Sequence, residues 1–191
     1  RKNCYYHGVT LVRPMKLRRI IKWITRAILV ALILAFVVGF VAYWRSANDC
    51  DHRPTPGHPM NAITHCEYGG PEVLKVEQLE KPVPNDNQLL VRVHAASVNP
   101  LDLTIRGSLF LRPLLGLRKP KETRLGVDYA GTIEAIGKNV TNFAPGDKVF
   151  GGRNGALAEY VIVLADRAVV LKPANMTFEQ AATVPVAAIT A

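Results

Sequence analysis

The chain has 191 residues, 49 % of them apolar and 20 % charged, enough for one globular domain and a further segment. Its net charge of +9 invites a nucleic-acid reading, but eight Lys and Arg and no acid lie in residues 1–26, which leaves 16 basic against 15 acidic groups in the remainder. The basicity flanks one segment instead of forming a binding stripe, and nucleic acid is excluded as a partner.

Residues 1–19 form a basic N-terminal segment in which Met15-Lys16-Leu17-Arg18-Arg19 resembles a natural start. Residues 20–44 read as a transmembrane helix or signal anchor: from Ala27 to Trp44 there is no charge and no proline, and a helix of that run spans about 27 Å, close to a bilayer's hydrocarbon core. A cleaved signal peptide competes, but the run exceeds the roughly 7–15 residues of a signal core, and residues 42–47 offer no small-x-small cleavage site. The basic flank puts the N-terminus in the cytoplasm and the rest on the far side.

Cys4, Cys50 and Cys66 are too few for a disulfide framework and are read as buried or free thiols, with a Cys50–Cys66 bridge the alternative in an oxidising compartment. Residues 45–59 form a linker whose His52 and His58 are read as solvated side chains. A domain over residues 60–176 comes next, with strands expected at 61–66, 73–79, 88–98, 127–136, 148–150, 158–164 and 168–171, separated by Gly and Pro turns. Many short strands at this spacing predict a mainly β fold, a small barrel or sandwich. Ser108 to Arg124 mixes leucines with five basic residues and is read as a loop and short helix packing on the barrel, with contact to a membrane surface or a cofactor phosphate as the alternative. Thr177 and Gln180 make a capping box for an Ala-rich helix over residues 177–191. The chain begins on a non-Met residue and stops inside this helical pattern, so it is read as a fragment.

Five motifs occur in register: Tyr68-Gly69-Gly70-Pro71-Glu72-Val73-Leu74, residues 91–102 with Asn99-Pro100-Leu101-Asp102, Gly126-Val127-Asp128-Tyr129-Ala130-Gly131, Pro145-Gly146-Asp147-Lys148-Val149, and residues 155–161 with Glu159-Tyr160. In that order they resemble a medium-chain dehydrogenase/reductase. The resemblance implies a GroES-like β-barrel domain, followed in the complete family by a Rossmann domain that binds NADPH or NADH and is absent from these residues. It also implies a homodimer formed through the Rossmann domains. Pools of that cofactor are cytoplasmic, in conflict with the orientation that the basic flank gives.

Within the family, the zinc alcohol dehydrogenases carry a Cys ligand, a relay hydroxyl two residues later, and a His ligand in Gly-His-Glu. Asn99, Leu101 and Val127 stand at those positions here, and an amide with two aliphatic groups is not a zinc donor set. The chain also passes from Phe150 to Ala158 through a short Gly-rich turn where the zinc branch often inserts a four-cysteine lobe. The pattern resembles the zinc-independent quinone oxidoreductase branch, which passes hydride from NADPH to a quinone, enone or other carbonyl substrate.

By that resemblance Asn99 is the catalytic and cofactor-binding candidate, its amide donating to developing negative charge. Thr190 lies near the nicotinamide, and Thr104 lines the substrate pocket where many quinone reductases carry Tyr. Asp102 and Arg106, four apart, are read as an architectural pair. Asp128 is read as orienting Arg or Lys neighbours, and Glu159-Tyr160 as a packed strand. The alternatives are a zinc alcohol dehydrogenase with altered ligands and a non-catalytic, membrane-tethered interaction module.

Overall fold

The computed structural model describes residues 15–45, 48, 50, 53–102, 110 and 112–191. Cys4, His52, Thr104 and Arg106 lie outside the described residues. The chain divides into two units, Arg1–Arg45 and Ser46–Ala191.

In the first unit, helix α1 (Met15–Trp44) runs 30 residues, about 45 Å at 1.5 Å per residue. From Ala27 to Trp44 apolar side chains surround it on every side, and its residues from Arg18 onward are exposed. A helix apolar all round has no stripe to turn toward a soluble core. By length and composition, Arg18–Trp44 is able to cross a membrane.

The second unit is built on two antiparallel sheets. Strands β1 (Pro59–His65) and β2 (Leu74–Glu80) pair with Met60 opposite Leu79, joined through the Tyr68-Gly69-Gly70-Pro71 turn and a 3₁₀ turn at Pro71–Val73. Five strands make the larger sheet: β3 (Gln88–Ser97), β4 (Asp128–Ile136), β5 (Lys148–Gly152), β6 (Tyr160–Leu164) and β7 (Val169–Leu171), in the order β6-β3-β4-β5-β7. Alternation sets its core face, as in β6, where Val161 and Val163 point inward and their neighbours do not. With Leu89, Val91, Tyr129, Ile133 and Val149 they form one buried cluster.

The expected barrel is not closed. Among the described residues, β6 and β7 stay as edges of the larger sheet, and β1 meets the segments beside that sheet through the isolated bridges Ala62–Ala158 and Thr64–Arg124 and the few backbone hydrogen bonds around them, with no continuous ladder. The backbone that would carry a continuous ladder is interrupted by Gly126 (φ +89°) and Gly155 (φ +88°), whose left-handed conformation turns successive amides away from one strand line. A carboxylate reinforces the seam: Glu159 accepts from the backbone N–H of Asn61 at 2.9 Å and its side-chain amide at 3.1 Å. Glu159 is thus a sheet-to-sheet clamp, a duty beyond packing that its strand motif did not reveal.

A short helix α2 (Arg112–Leu115) caps the turn end of the small sheet, with the Arg112 guanidinium 4.6 Å from the Tyr68 ring centroid and the Tyr68 hydroxyl donating to the Gly116 carbonyl at 2.7 Å. The expected C-terminal helix is broken into α3 (Phe178–Ala182) and α4 (Pro185–Thr190). Thr177 and Gln180 form the reciprocal cap of α3, while Pro185 has no N–H to extend that helix and takes the first position of the next.

Cys50 and Cys66 are joined in a disulfide, which corrects the free-thiol reading. The cause lies in the linker's contacts. Asn48 Nδ2 donates to the Cys66 carbonyl at 2.8 Å, and Arg53 pairs with Glu77 and donates to Thr123 Oγ1 at 2.9 Å, which holds Cys50 against the end of β1.

Candidate functional site

The β3–β4 register makes the site. Ser97 at the end of β3 stands opposite Asp128 at the start of β4, so the loop that leaves β3 at Val98 and Asn99 passes beside the Asp128 carboxylate. That group is buried and accepts three hydrogen bonds: Ser97 Oγ at 3.1 Å and Asn99 Nδ2 at 3.3 Å on Oδ2, and the Val186 backbone N–H at 3.1 Å on Oδ1. The expected Arg or Lys partner of Asp128 is absent among the described residues. Its neighbours are a hydroxyl, an amide and the first turn of α4, because strand pairing delivers these and no basic side chain.

Asn99 is half-buried and fixed at both ends of its amide. Oδ1 accepts the Leu101 backbone N–H at 2.9 Å, while Nδ2 donates to Asp128. A backbone N–H only donates and a carboxylate only accepts, so the two contacts agree on which way the amide faces. One Nδ2 hydrogen is left for another partner.

Asp102 supports the same loop from below. Buried itself, it accepts the Asn99 backbone N–H and the Gly126 backbone N–H, each at 3.1 Å. The expected pairing of Asp102 with Arg106 falls outside the described residues. Gly126 must be glycine: its φ is left-handed, and a Cβ there would stand 2.5 Å from the Leu157 backbone nitrogen.

Thr190 is exposed at the end of α4, its hydroxyl donating to the Val186 carbonyl at 2.8 Å. Asn99 and Thr190 are therefore joined through Asp128 and Val186. Thr104 lies outside the described residues. Leu101 is 44 % exposed and Val127 half-buried, so the positions matching a relay hydroxyl and a histidine ligand hold aliphatic groups. Among the described residues no three His, Cys, Asp or Glu side chains converge in a metal-binding group.

Beside this arrangement lies an apolar cleft of about 540 Å³, walled by Val127, Phe150, Val170, Pro185 and Ile189 with Arg153 at its rim. Neither Asn99 nor Thr190 lines it, although Val127 and Val186, which adjoin Asp128 in sequence and by hydrogen bond, do. In the core of the larger sheet, burial pushes the Tyr129 phenol well above its ordinary pKa, with Arg153 opposing.

Sequence reasoning missed Ser97 and the role of Val186. The signal for Ser97 was present in the alternation of β3 and β4, which would place it opposite Asp128 once the strands were paired; the Val186 amide left none.

Residues 85–174 match the family model described as the alcohol dehydrogenase GroES-like domain. The quinone oxidoreductase of Sus scrofa is 40 % identical over 136 residues, a match covering 69 % of this chain and 39 % of that protein. The chain thus spans about two fifths of the length of the curated relatives it matches. The solved structure of the quinone oxidoreductase from Coxiella burnetii aligns with TM-score 0.60 and 35 % identity over 69 % of this chain and 43 % of that one. That of Escherichia coli quinone oxidoreductase complexed with NADPH aligns with TM-score 0.54 and 31 % identity over 64 % and 36 %.

Proposed function

We propose, from the premise that residues 85–174 belong to the alcohol dehydrogenase GroES-like domain family, that the protein carrying this chain is an NAD(P)H-dependent oxidoreductase of the quinone oxidoreductase type. It passes hydride to a quinone, enone or other carbonyl acceptor without zinc, and α1 anchors it in a membrane. The observation that carries this reading is the fixed Asn99 amide, held by Asp128 and Leu101 with one N–H still to give.

The nicotinamide cofactor, when bound, supplies the hydride, and by the resemblance most of its binding surface belongs to a Rossmann domain outside these residues. The residues here fit its nicotinamide end. The remaining Asn99 N–H donates to the oxygen on which negative charge develops, and its pre-set orientation avoids a reorganisation cost during reaction. The Thr190 hydroxyl, having donated to Val186, keeps its oxygen lone pairs to accept from an amide. By the resemblance alone, Thr104, outside the described residues, is assigned to the acceptor side. An amide, Leu101 and Val127 do not fit a catalytic zinc, which needs three N, S or O donors and an open position.

The test is NADPH oxidation by the purified protein with a benzoquinone and with an enone, alongside elemental analysis. Turnover at well under one zinc per chain is the expected result. Stoichiometric zinc with turnover that chelation abolishes would overturn the metal-free reading.

A further inference from the structure

Three features outside the candidate site bear on the compartment that the second unit faces. The Cys50–Cys66 bond, with Cα atoms 5.9 Å apart, is of a kind that persists in oxidising compartments and is rare in the cytosol. The basic flank ahead of the uncharged run Ala27–Trp44, eight Lys and Arg without an acid over residues 1–26, retains the N-terminal side in the cytoplasm and sends the chain beyond a spanning helix across the membrane. These two arguments are independent, one resting on thiol chemistry and the other on charge, and they agree.

The third feature is a pair of acceptor patterns, Asn139-Val140-Thr141 and Asn175-Met176-Thr177, both after the helix. Each is Asn-x-Thr with x not proline. Such a tripeptide arises by chance in a chain of this size, so its placement carries the argument. Asn139 and Asn175 are both exposed and both sit in turns, one after β4 and one between β7 and α3. Thr177 has a competing duty as the cap of α3, whereas Thr141 is exposed outside any strand or helix, so Asn139 is the principal site.

We infer that the second unit faces an oxidising compartment that transfers glycans, and that Asn139, with Asn175 as a second site, carries an N-linked oligosaccharide. The donor is an oligosaccharide on a polyisoprenyl pyrophosphate. Asn Nδ2 forms the bond to the anomeric carbon and loses one proton, the bond from that carbon to the pyrophosphate oxygen breaks, and the lipid pyrophosphate leaves with the electron pair; nothing is oxidised or reduced. The product keeps one N–H. Asn139 Nδ2 donates to Asn87 Oδ1 at 2.9 Å, and that remaining hydrogen preserves the bond after transfer. A polar cleft of about 370 Å³ adjoins it, with Asn87, Asn142, Asp166 and Arg167 placed to meet sugar hydroxyls.

The inference rests on the membrane-span reading of α1 and not on the hydride chemistry. It is tested by expressing the chain in cells with secretory glycosylation, digesting with peptide N-glycosidase and comparing gel mobility for wild type, Asn139→Gln, Thr141→Ala, Thr141→Ser and Asn175→Gln. Digestion is expected to shift the wild type. Asn139→Gln and Thr141→Ala each lose one mobility step, Thr141→Ser retains it, and Asn175→Gln loses the other. In the same cells a maleimide reagent is expected to label one thiol, Cys4, without reductant and all three after it. A wild type that digestion does not shift, or an Asn139→Gln variant with an unchanged shift, overturns the inference, as does labelling of all three cysteines without reductant. Alkaline carbonate extraction separates the readings beneath it: a glycosylated protein released from membranes would retain the glycan assignment and refute the anchor.

Discussion

Asn99 has one donor left because the rest of its amide is committed, and the commitment comes from a carboxylate that reaches no basic side chain among the described residues. Truncating it removes one oriented donor, so Asn99→Ala is expected to lower kcat by about 10²-fold with a small change in KM, the loss typical of a single such group. Asn99→Asp is expected to be worse, because it sets a second carboxylate against Asp128. Steady-state kinetics on both variants checks the order. Glu159 supplies a stability prediction. The Asn61 backbone N–H, then its side-chain amide, favour the charged form and hold the Glu159 carboxyl below the ordinary carboxylate value. A folded pKa lower than the unfolded one contributes stability above the unfolded value, and that stability fades as pH falls through the depressed one. Glu159→Gln should therefore flatten the acid side of a Tm against pH curve, while an unchanged slope would remove the clamp. The sequence marked Asn99 through its motif but left Asp128 with the wrong partners, since partners across a sheet depend on register, which one strand does not declare.

At the scale of elements, the site depends on two strand ends and the turn that feeds β4. Gly126 occupies a left-handed φ and sits against the Leu157 backbone, which cannot rotate aside as a side chain could. Gly126→Ala should cost about 2 kcal/mol or more by urea denaturation, from the conformational penalty and the displaced backbone together; a loss under about 0.5 kcal/mol would show that the turn relaxes. The strands were legible because period-2 alternation and Gly or Pro turns mark them directly, as in Val161 and Val163 of β6. Closure of the barrel was not legible. It depends on whether residues 121–127 and 153–159 ladder or merely touch, and glycine torsions decide that locally. The final helix failed similarly: the Ala-rich pattern continues across Pro185, while the hydrogen-bond ladder does not.

Over the whole molecule, the linker is tied to the second unit by one covalent bond spanning 16 residues. Closing a loop of that length restricts the unfolded chain by about 3 kcal/mol, so Cys50→Ser or added reductant should lower Tm measurably in the wild type, and reductant should leave the variant unchanged. Composition declared the apolar segment, whereas three scattered cysteines offered the Cys50–Cys66 pairing only as the alternative to free thiols; it arises from Asn48 and Arg53 folding the linker back. On the compartment inferred above, the second unit lies away from the cytoplasmic nucleotide pool, which makes hydride transfer the step to measure directly. The most direct is isotope transfer: NADPH deuterated at the nicotinamide C4 position, an enone acceptor, and chelator-treated protein, with the product analysed by mass spectrometry. Deuterium appearing in the product, in amounts that fall with Asn99→Ala, is the predicted result; product without deuterium, or product formed only after zinc is restored, would contradict it.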